Sequence, residues 1–416
     1  MSTQLLVVGW VWPEPEASAA GGNMLSLLKE FLSEGWTVTF ASSAEVTPLS
    51  YPLADLGIHC QAIAVNDSRF DEWVKTLAPD AVLFDRFLME EQFGWRVAEA
   101  CPEALRVIDT EDLQCLRQAR QQAFKDGAVF SKDYLNSDLS KREIAAIWRS
   151  DLSLIISSIE YDLLRSHFQV PAELLFYRPL ALEEIQHSPV AEASLSFAER
   201  HGFATIGNFR HPPNWDAVLY LKQIWPQVRA RLPEAELHIY GAYLPPKARQ
   251  LHNPKQGFHV DGWVESAGCA LAKARVSVAP LRYGAGQKGK LLLSMCAGTP
   301  SVTTGVGAES MVSGQSWPGK IADSIDDFVA AMVQLHEEES AWQAAQSLGW
   351  QWLETLREQQ QSGQLVAHIR DIQQNLKAHR SANFIGGMLN YHHHQSTKYM
   401  SQWIEAKSQH SKKNGD

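Results

Sequence analysis

The chain is short of everything that would mark a secreted, membrane-spanning or nucleic-acid-binding protein. Its five cysteines (Cys60, Cys101, Cys115, Cys269, Cys296) are odd in number, scattered and never in C-x-x-C spacing, which excludes a disulfide framework and a cysteine zinc site and suits reduced thiols. No apolar run approaches the length of a membrane span. The start, MSTQLLVVGWVWPEPE, has no basic leader, and Pro13 and Glu14 cut its apolar run, so a signal peptide is not expected and a cytoplasmic location is. Basic residues are outnumbered, 37 against 47 acidic, for a net charge of −10, which argues against a general nucleic-acid binder. Walker A spacing with its GK[ST] ending and Asp-x-Asp are both missing, so no metal is expected at a catalytic site and no cofactor is implied.

What remains is an ordinary composition for folded chains, 45% hydrophobic and 20% charged, in a length of 416 residues that suggests more than one core. Fourteen tryptophans are many, and core and interdomain packing accounts for most of them. Short apolar, β-rich runs (LLVVG, TVTFAS, CQAIAV, AVLFD, LRVID, SDLSLIISS, ELLFY) alternate with longer amphipathic ones up to about residue 178. Strands that apolar cannot face water, so the pattern predicts a parallel sheet with helices on both faces. A polar passage follows, and the alternation restarts at FATIG. The expected architecture is α/β, with two Rossmann-like doubly wound domains facing across a cleft. Their expected bounds are residues 1–182 and 203–340, joined by a linker over 183–202 and followed by helices and a tail over 341–416. The tail holds His392, His393 and His394, read as a solvated segment because consecutive residues of a regular element cannot converge on one ion.

Chemistry concentrates in the second half. In VAPLRYGAGQKGKLLLSMCAG a strand ends, Gly284, Gly286 and Gly289 permit close backbone approach, and Gly289 opens a helix with Lys288 and Lys290 at its start. Free N–H groups, the helix dipole and two lysines make an anion site. The stretch GNFRHPPNWDAV puts Asn208, Arg210 and His211 at another strand end, with Asn214 as a candidate cap, and TTGVGAES adds Gly307 and Glu309. Taken singly each is a loop residue or cap; together they line one rim. In the first half, Gly21 and Gly22 sit in a small-residue turn opening a helix.

These stretches resemble the retaining, nucleotide-sugar-dependent glycosyltransferases of the GT-B fold, family 4 or group 1, most strongly over residues 203–311, with DRFLMEEQFGW and IDTEDLQCLRQAR as further points of likeness. The resemblance implies a nucleotide-sugar donor as co-substrate in the second domain, its diphosphate against Arg210, Lys288 and the helix start at Gly286, Gly289 and Lys290. It implies an acceptor, whether glycan, lipid-linked or a small molecule, bound mainly by the first domain near Gly21 and Gly22, and no bound metal. Asp109, Glu111 and Asp112 are then candidates for orienting sugar hydroxyls, although Asp112 also suits a cap of the helix that follows. Glu309 is a candidate acceptor for sugar hydroxyls, beside Asn208, His211 and Gly307.

Two departures stand out. The family's E-x7-E is replaced by Ala285 and Leu293, and its usual histidine by Gln114, which cannot titrate. In retaining transfer the leaving diphosphate can itself act as base, so cations and helix dipoles matter more than that histidine. The leading expectation is a glycosyltransferase; the alternatives are a non-catalytic sugar-nucleotide or glycan-binding scaffold, and a sugar-nucleotide epimerase of the same architecture. For the tail, a return across the cleft to the first domain is expected, with peripheral membrane contact through Lys398, Trp403 and Lys407 as the less favoured role.

Overall fold

A computed structural model describes residues 3–181, 195–311, 316–359 and 363–413. Most of the expected linker, 183–202, lies outside them. Two parallel sheets organise the chain. The N-terminal sheet has strands β1 (Gln4–Gly9), β2 (Thr37–Ser42), β3 (His59–Ala62), β4 (Ala81–Asp85), β5 (Leu105–Asp109), β6 (Leu152–Ile155) and β7 (Leu175–Tyr177), in the order 3-2-1-4-5-6-7. The C-terminal sheet has β8 (His201–Ile206), β9 (Leu237–Tyr240), β10 (Phe258–Gly262), β11 (Ala274–Ala279), β12 (Ser301–Thr303) and β13 (Gly319–Ile321), in the order 10-9-8-11-12-13. Both orders reverse once, between β1 and β4 and between β8 and β11, and a crevice for ligands opens beyond the strand ends at such a reversal.

The helices of the first lobe are α1 (Ala19–Ser33), α2 (Arg69–Leu77), α3 (Phe87–Ala100), α4 (Gln114–Lys125), α5 (Asp138–Arg149) and α6 (Ser158–Ser166). Those of the second are α7 (Pro212–Arg231), α8 (Ala267–Lys273), α9 (Gly289–Cys296), α10 (Ile325–Glu337) and α11 (Glu339–Gln359), besides single turns. The central strands β1, β4 and β5 are buried almost throughout, as sheets covered on both faces require. Separate apolar cores form under each sheet, one around Leu5, Phe31 and Phe40, the other around Phe203, Ile224 and Phe328.

The chain ends on the first lobe. In α12 (Gln364–Gln374), Leu365, Val366, Ile369 and Ile372 enter the N-terminal core, and Leu376 of α13 (Leu376–Ala382) joins them. Arg380 then holds Asp151 with Nε–Oδ1 and Nη2–Oδ2 distances of 2.8 Å, and α14 (Phe384–Lys413) runs on past α5 and α3. The solvated segment expected at His392–His394 is thus part of a helix; His392 is exposed there, and the side chains of His393 and His394 lie outside the description.

Two caps differ from expectation. Helix α7 starts at Pro212, with His211 in the cap position and no side-chain bond, because Pro212 and Pro213 already have the backbone angle of a first turn. Asn214, inside the helix, instead donates to the Asn208 carbonyl and accepts from Lys290. At α4 the cap is Leu113; the free N–H groups of Gln114 and Cys115 go to the two oxygens of Glu143, at 3.0 and 2.7 Å, and Asp112 pairs with Arg117.

Candidate functional site

At the end of β8 the backbone turns through Gly207, where a Cβ would lie 2.7 Å from the Asn214 amide and 2.9 Å from Lys290 Nζ. That close approach links the Asn208 loop to helix α9. Lys290 Nζ donates to Asn214 Oδ1 at 2.6 Å, while Lys288, at the cap of α9, turns its amine back onto the Gly286 carbonyl at 2.6 Å. Burial pushes Lys290 down to about 7, helped by the charge of Lys288, and pushes Lys288 down to about 8 against the pull of Glu309 and Glu160. Two desolvated ammonium groups are poised to gain from an incoming anion.

Across the junction, the ends of β4 and β5 collect carboxylates. Asp85 accepts the Trp10 N–H at 3.0 Å; Asn23 Nδ2 donates to Asp109 at 3.3 Å and to Glu111 at 3.1 Å; and Arg178 holds Asn23 Oδ1 at 3.0 Å. Burial, then the charge of Asp85, lifts Asp109 to about 7, and burial with Asp109 lifts Glu111 well above the ordinary carboxylate range. Arg86 and Glu111 adopt left-handed backbone angles, φ 70° and 56°, at the two strand ends. Non-glycine residues held there are strained, and such strain gathers at functional sites.

The lobes meet closely over this region. A Cβ on Gly289 would lie 2.5 Å from the Ala19 Cβ, so the starts of α9 and α1 abut. A Cβ on Gly286, at φ +66°, would lie 2.8 Å from Asp112 Cβ. Gly286 N–H donates to Glu160 Oε1 at 2.7 Å, Arg120 grips Glu309 with both arms at 2.7 and 2.9 Å, and the Ser157 and Ser310 hydroxyls lie 2.7 Å apart. At the cap of α7, burial, reinforced by Arg117, Lys290 and Arg86 and opposed by Asp112, lowers His211 to about 4, so it is neutral at pH 7. Cations of both lobes, Arg86 and Arg117 from one and Lys290 from the other, therefore act on His211 at the start of α7, with Asp112 opposing them.

Asn208, His211, Lys290 and the 286–289 turn come together as one surface, facing Asp112. Arg210 and Lys288 do not form the expected pair. Arg210 is exposed and stacks on Tyr243 at 3.5 Å, whereas Lys288 is buried among Glu309, Glu160 and Arg120. A side chain with one aromatic partner at the rim and another drawn toward carboxylates diverge for electrostatic reasons that spacing does not reveal. Glu309 is engaged by Arg120, and a Cβ on Gly307 would collide with Thr303, so that glycine serves packing. Gly21 likewise lets the Glu14 backbone approach, while the space before Gly22 is open. Gln114 opens α4, partly exposed; Ala285 packs beside the Leu113–Leu164 cluster and Leu293 beside Ala297. Arg86, Arg117, Arg120, Arg178 and Glu160 are functional candidates that the sequence alone does not single out. Arg117 and Arg120 stand three apart, one helical turn, at the end of IDTEDLQCLRQAR, and that spacing is the signal in the sequence.

Residues 200–338 match the family model of glycosyl transferases group 1. No curated protein sequence matches the chain. Among solved structures it is similar to sucrose-phosphate synthase from Thermosynechococcus elongatus, at 13% identity and TM-score 0.60 over 91% of this chain and 100% of that one. It is similar to HepE of Anabaena, solved with UDP and glucose, at 13% identity and TM-score 0.60 over 90% and 99%. It also resembles S. aureus TarM, solved with UDP, at 13% identity and TM-score 0.54, covering 73% of this chain and spanning 58% of that longer one. Among the described residues no helix is long and apolar enough to cross a membrane. The match over residues 200–338 is to the glycosyl transferases group 1, and the two-lobed chain that carries it has the GT-B fold of the solved structures it resembles.

Proposed function

We propose that the protein is a glycosyltransferase that moves a sugar from a nucleoside diphosphate donor to an acceptor hydroxyl, with retention at the anomeric carbon. The observation that carries this reading is the abutting of the α1 and α9 N-termini, at Ala19 and Gly289, with the buried amine of Lys290 at the start of α9. Two partial positive poles and a desolvated ammonium group at one junction favour an anion between them, and a diphosphate suits that place. The group 1 match and the UDP held by the structurally similar HepE and TarM support the same reading.

In this reading the anomeric C–O bond to the diphosphate breaks while the acceptor oxygen bonds to the same carbon from the same face, and the acceptor proton passes to the departing phosphate oxygen. The protein's part is to hold the charge that grows on that oxygen. Lys288 and Lys290, desolvated in the free protein, recover full protonation against it, and the α9 N–H groups donate to it. Asn208 and His211 orient the donor, and Arg210, released from Tyr243, adds a second grip at the rim. Asp109 and Glu111 accept from sugar hydroxyls, with Gly22 leaving room for the acceptor. Gln114 and Asp112 border that room without titrating in the step. No metal is required by this scheme.

Incubation with a panel of nucleotide sugars, read by mass spectrometry, tests it. Release of nucleoside diphosphate together with an acceptor-dependent glycoside supports it, and intact donors throughout overturn it. Binding without turnover would instead favour a scaffold, which the replacements at Gln114, Ala285 and Leu293 motivate.

A further inference from the structure

The C-terminal sheet carries a cluster that the transfer reaction does not use. In β9 and β10 the residues Leu237, Ile239, Phe258 and Val260 point into the core. The alternate residues His238 and His259 therefore share the other face, where they pair directly across the two strands. Glu236, one residue before β9, reaches both: its oxygens lie 3.7 Å from His238 Nε2 and 3.5 Å from His259 Nε2, and the three ligand atoms all fall within 4.8 Å of one another. Both positions lie near the starts of their strands, away from the junction at the strand ends.

Three details separate this cluster from a chance gathering. His238 Nδ1 donates to Asp261 Oδ2 at 2.8 Å, which fixes the tautomer and leaves the Nε2 lone pair free on the side of Glu236. His259 Nε2 is buried with no hydrogen-bond partner. An imidazole nitrogen removed from water needs an acceptor or donor, and an electrophile supplies the missing contact. Lastly, the histidines are 34% and 17% exposed and Glu236 57%, so an ion can enter from solvent and keep a water in its fourth position.

We propose that Glu236, His238 and His259 form a binding site for a first-row divalent ion, with zinc the best suited, held by two neutral imidazoles and one carboxylate and oriented by Asp261. Zinc takes such ligands at about 2.0–2.2 Å in tetrahedral array, which places neighbouring ligand atoms roughly 3.3 Å apart. The Glu236 oxygens, 3.7 and 3.5 Å from the two Nε2 atoms, need only a small contraction, whereas the two nitrogens, which lie within 4.8 Å of each other, must converge by rotation of the rings. The two rings now stack 11° from parallel with centroids 4.7 Å apart, so binding tilts their Nε2 atoms toward each other. The ion would staple the turn before β9 to the edge strand β10, stabilising that side of the donor lobe without entering the reaction.

The test uses the full chain with His392, His393 and His394 replaced by serine, so that the terminal tract cannot hold metal. After metal removal by chelator and dialysis, Zn2+ is titrated with calorimetric and thermal-melt readouts, and Co2+ is added to report tetrahedral coordination by its visible absorption. One zinc per chain is expected, with a rise in melting temperature on binding. His238→Ala and His259→Ala should each abolish saturable binding, and Asp261→Asn should weaken it roughly 10- to 100-fold. Should a histidine variant fail to fold, Glu236→Gln, at a mostly exposed side chain, keeps the test open: it should weaken zinc at least tenfold and change the Co2+ spectrum. Absence of saturable zinc binding in the parent, or unchanged affinity in the Glu236, His238 and Asp261 variants, overturns the proposal.

Discussion

Lys290 bears most of the electrostatic argument, because its amine is held by one amide, Asn214, and stripped of water. Lys290→Ala should lower kcat/KM by roughly 100-fold, the usual loss when one donor to a developing oxyanion is removed, and unchanged turnover in steady-state assays would contradict its role. The charge has a pH signature. Lys290 and Lys288 lose their protons near 7 and 8 in the free protein, so kcat/KM should fall as pH rises through that window. Asp109 carries the opposite lesson about stability. Burial and Asp85 raise its folded pKa to about 7, above an unfolded value of about 3.9. Its contribution is therefore fully present below the unfolded value and lost as pH rises through about 7. Asp109→Asn should melt higher than the parent at pH 8, by on the order of a few kcal/mol, match it near pH 4, and lose activity; equal melting at both pH values would refute the assignment. Asn208, His211, Lys290 and the glycines were legible in sequence because they follow strand ends and open helices. Arg86 and Arg117 were not, since they arrive from the other lobe and only packing brings them to His211.

At the scale of elements, alternation of apolar runs was enough to find both sheets, since a parallel strand buried on two faces leaves a continuous signature. Cap positions were not readable: Glu160 and Glu143, from elsewhere in the chain, accept from the N–H groups of Leu113, Gln114 and Cys115, and two prolines displaced Asn214 from the cap it suited. The junction of α1 and α9 gives a sharp test. Gly289→Ala puts a methyl 2.5 Å from Ala19, and because both atoms belong to backbone-anchored positions the helices must separate. Donor binding should weaken roughly tenfold while far-UV circular dichroism stays unchanged; a variant with parental affinity would show that the two helix starts do not act together. A second element-level test concerns Glu90 of α3, buried with Arg149 of α5 at 4% and 3% side-chain exposure and bonded Oε1 to Nε at 2.9 Å. Glu90→Ala leaves that guanidinium buried alone. It should cost about 3–5 kcal/mol in denaturant unfolding, with no change in the pH dependence of activity.

The whole molecule is two lobes joined across a junction by polar contacts that, in the proposed function, part for a donor to enter. Arg120 with Glu309, Glu160 with Gly286, Tyr243 with Glu14 and Leu180 with Gln287 all cross the junction, and each pairs a polar group of one lobe with one of the other. Such polar, replaceable contacts suit lobes that open and reclose on a ligand. The terminal helices, returning to bury Leu365, Ile369 and Leu376 under the first sheet, tie residues 364–382 to the N-terminal lobe. The central claim is that the closed junction is organised around a diphosphate. Calorimetric titration of the full chain with a panel of nucleoside diphosphates, run beside Lys290→Ala, tests it most directly. At least one of them should bind one-to-one and weaken roughly tenfold or more in the variant, whereas no binding, or binding indifferent to the loss of that amine, would contradict the account.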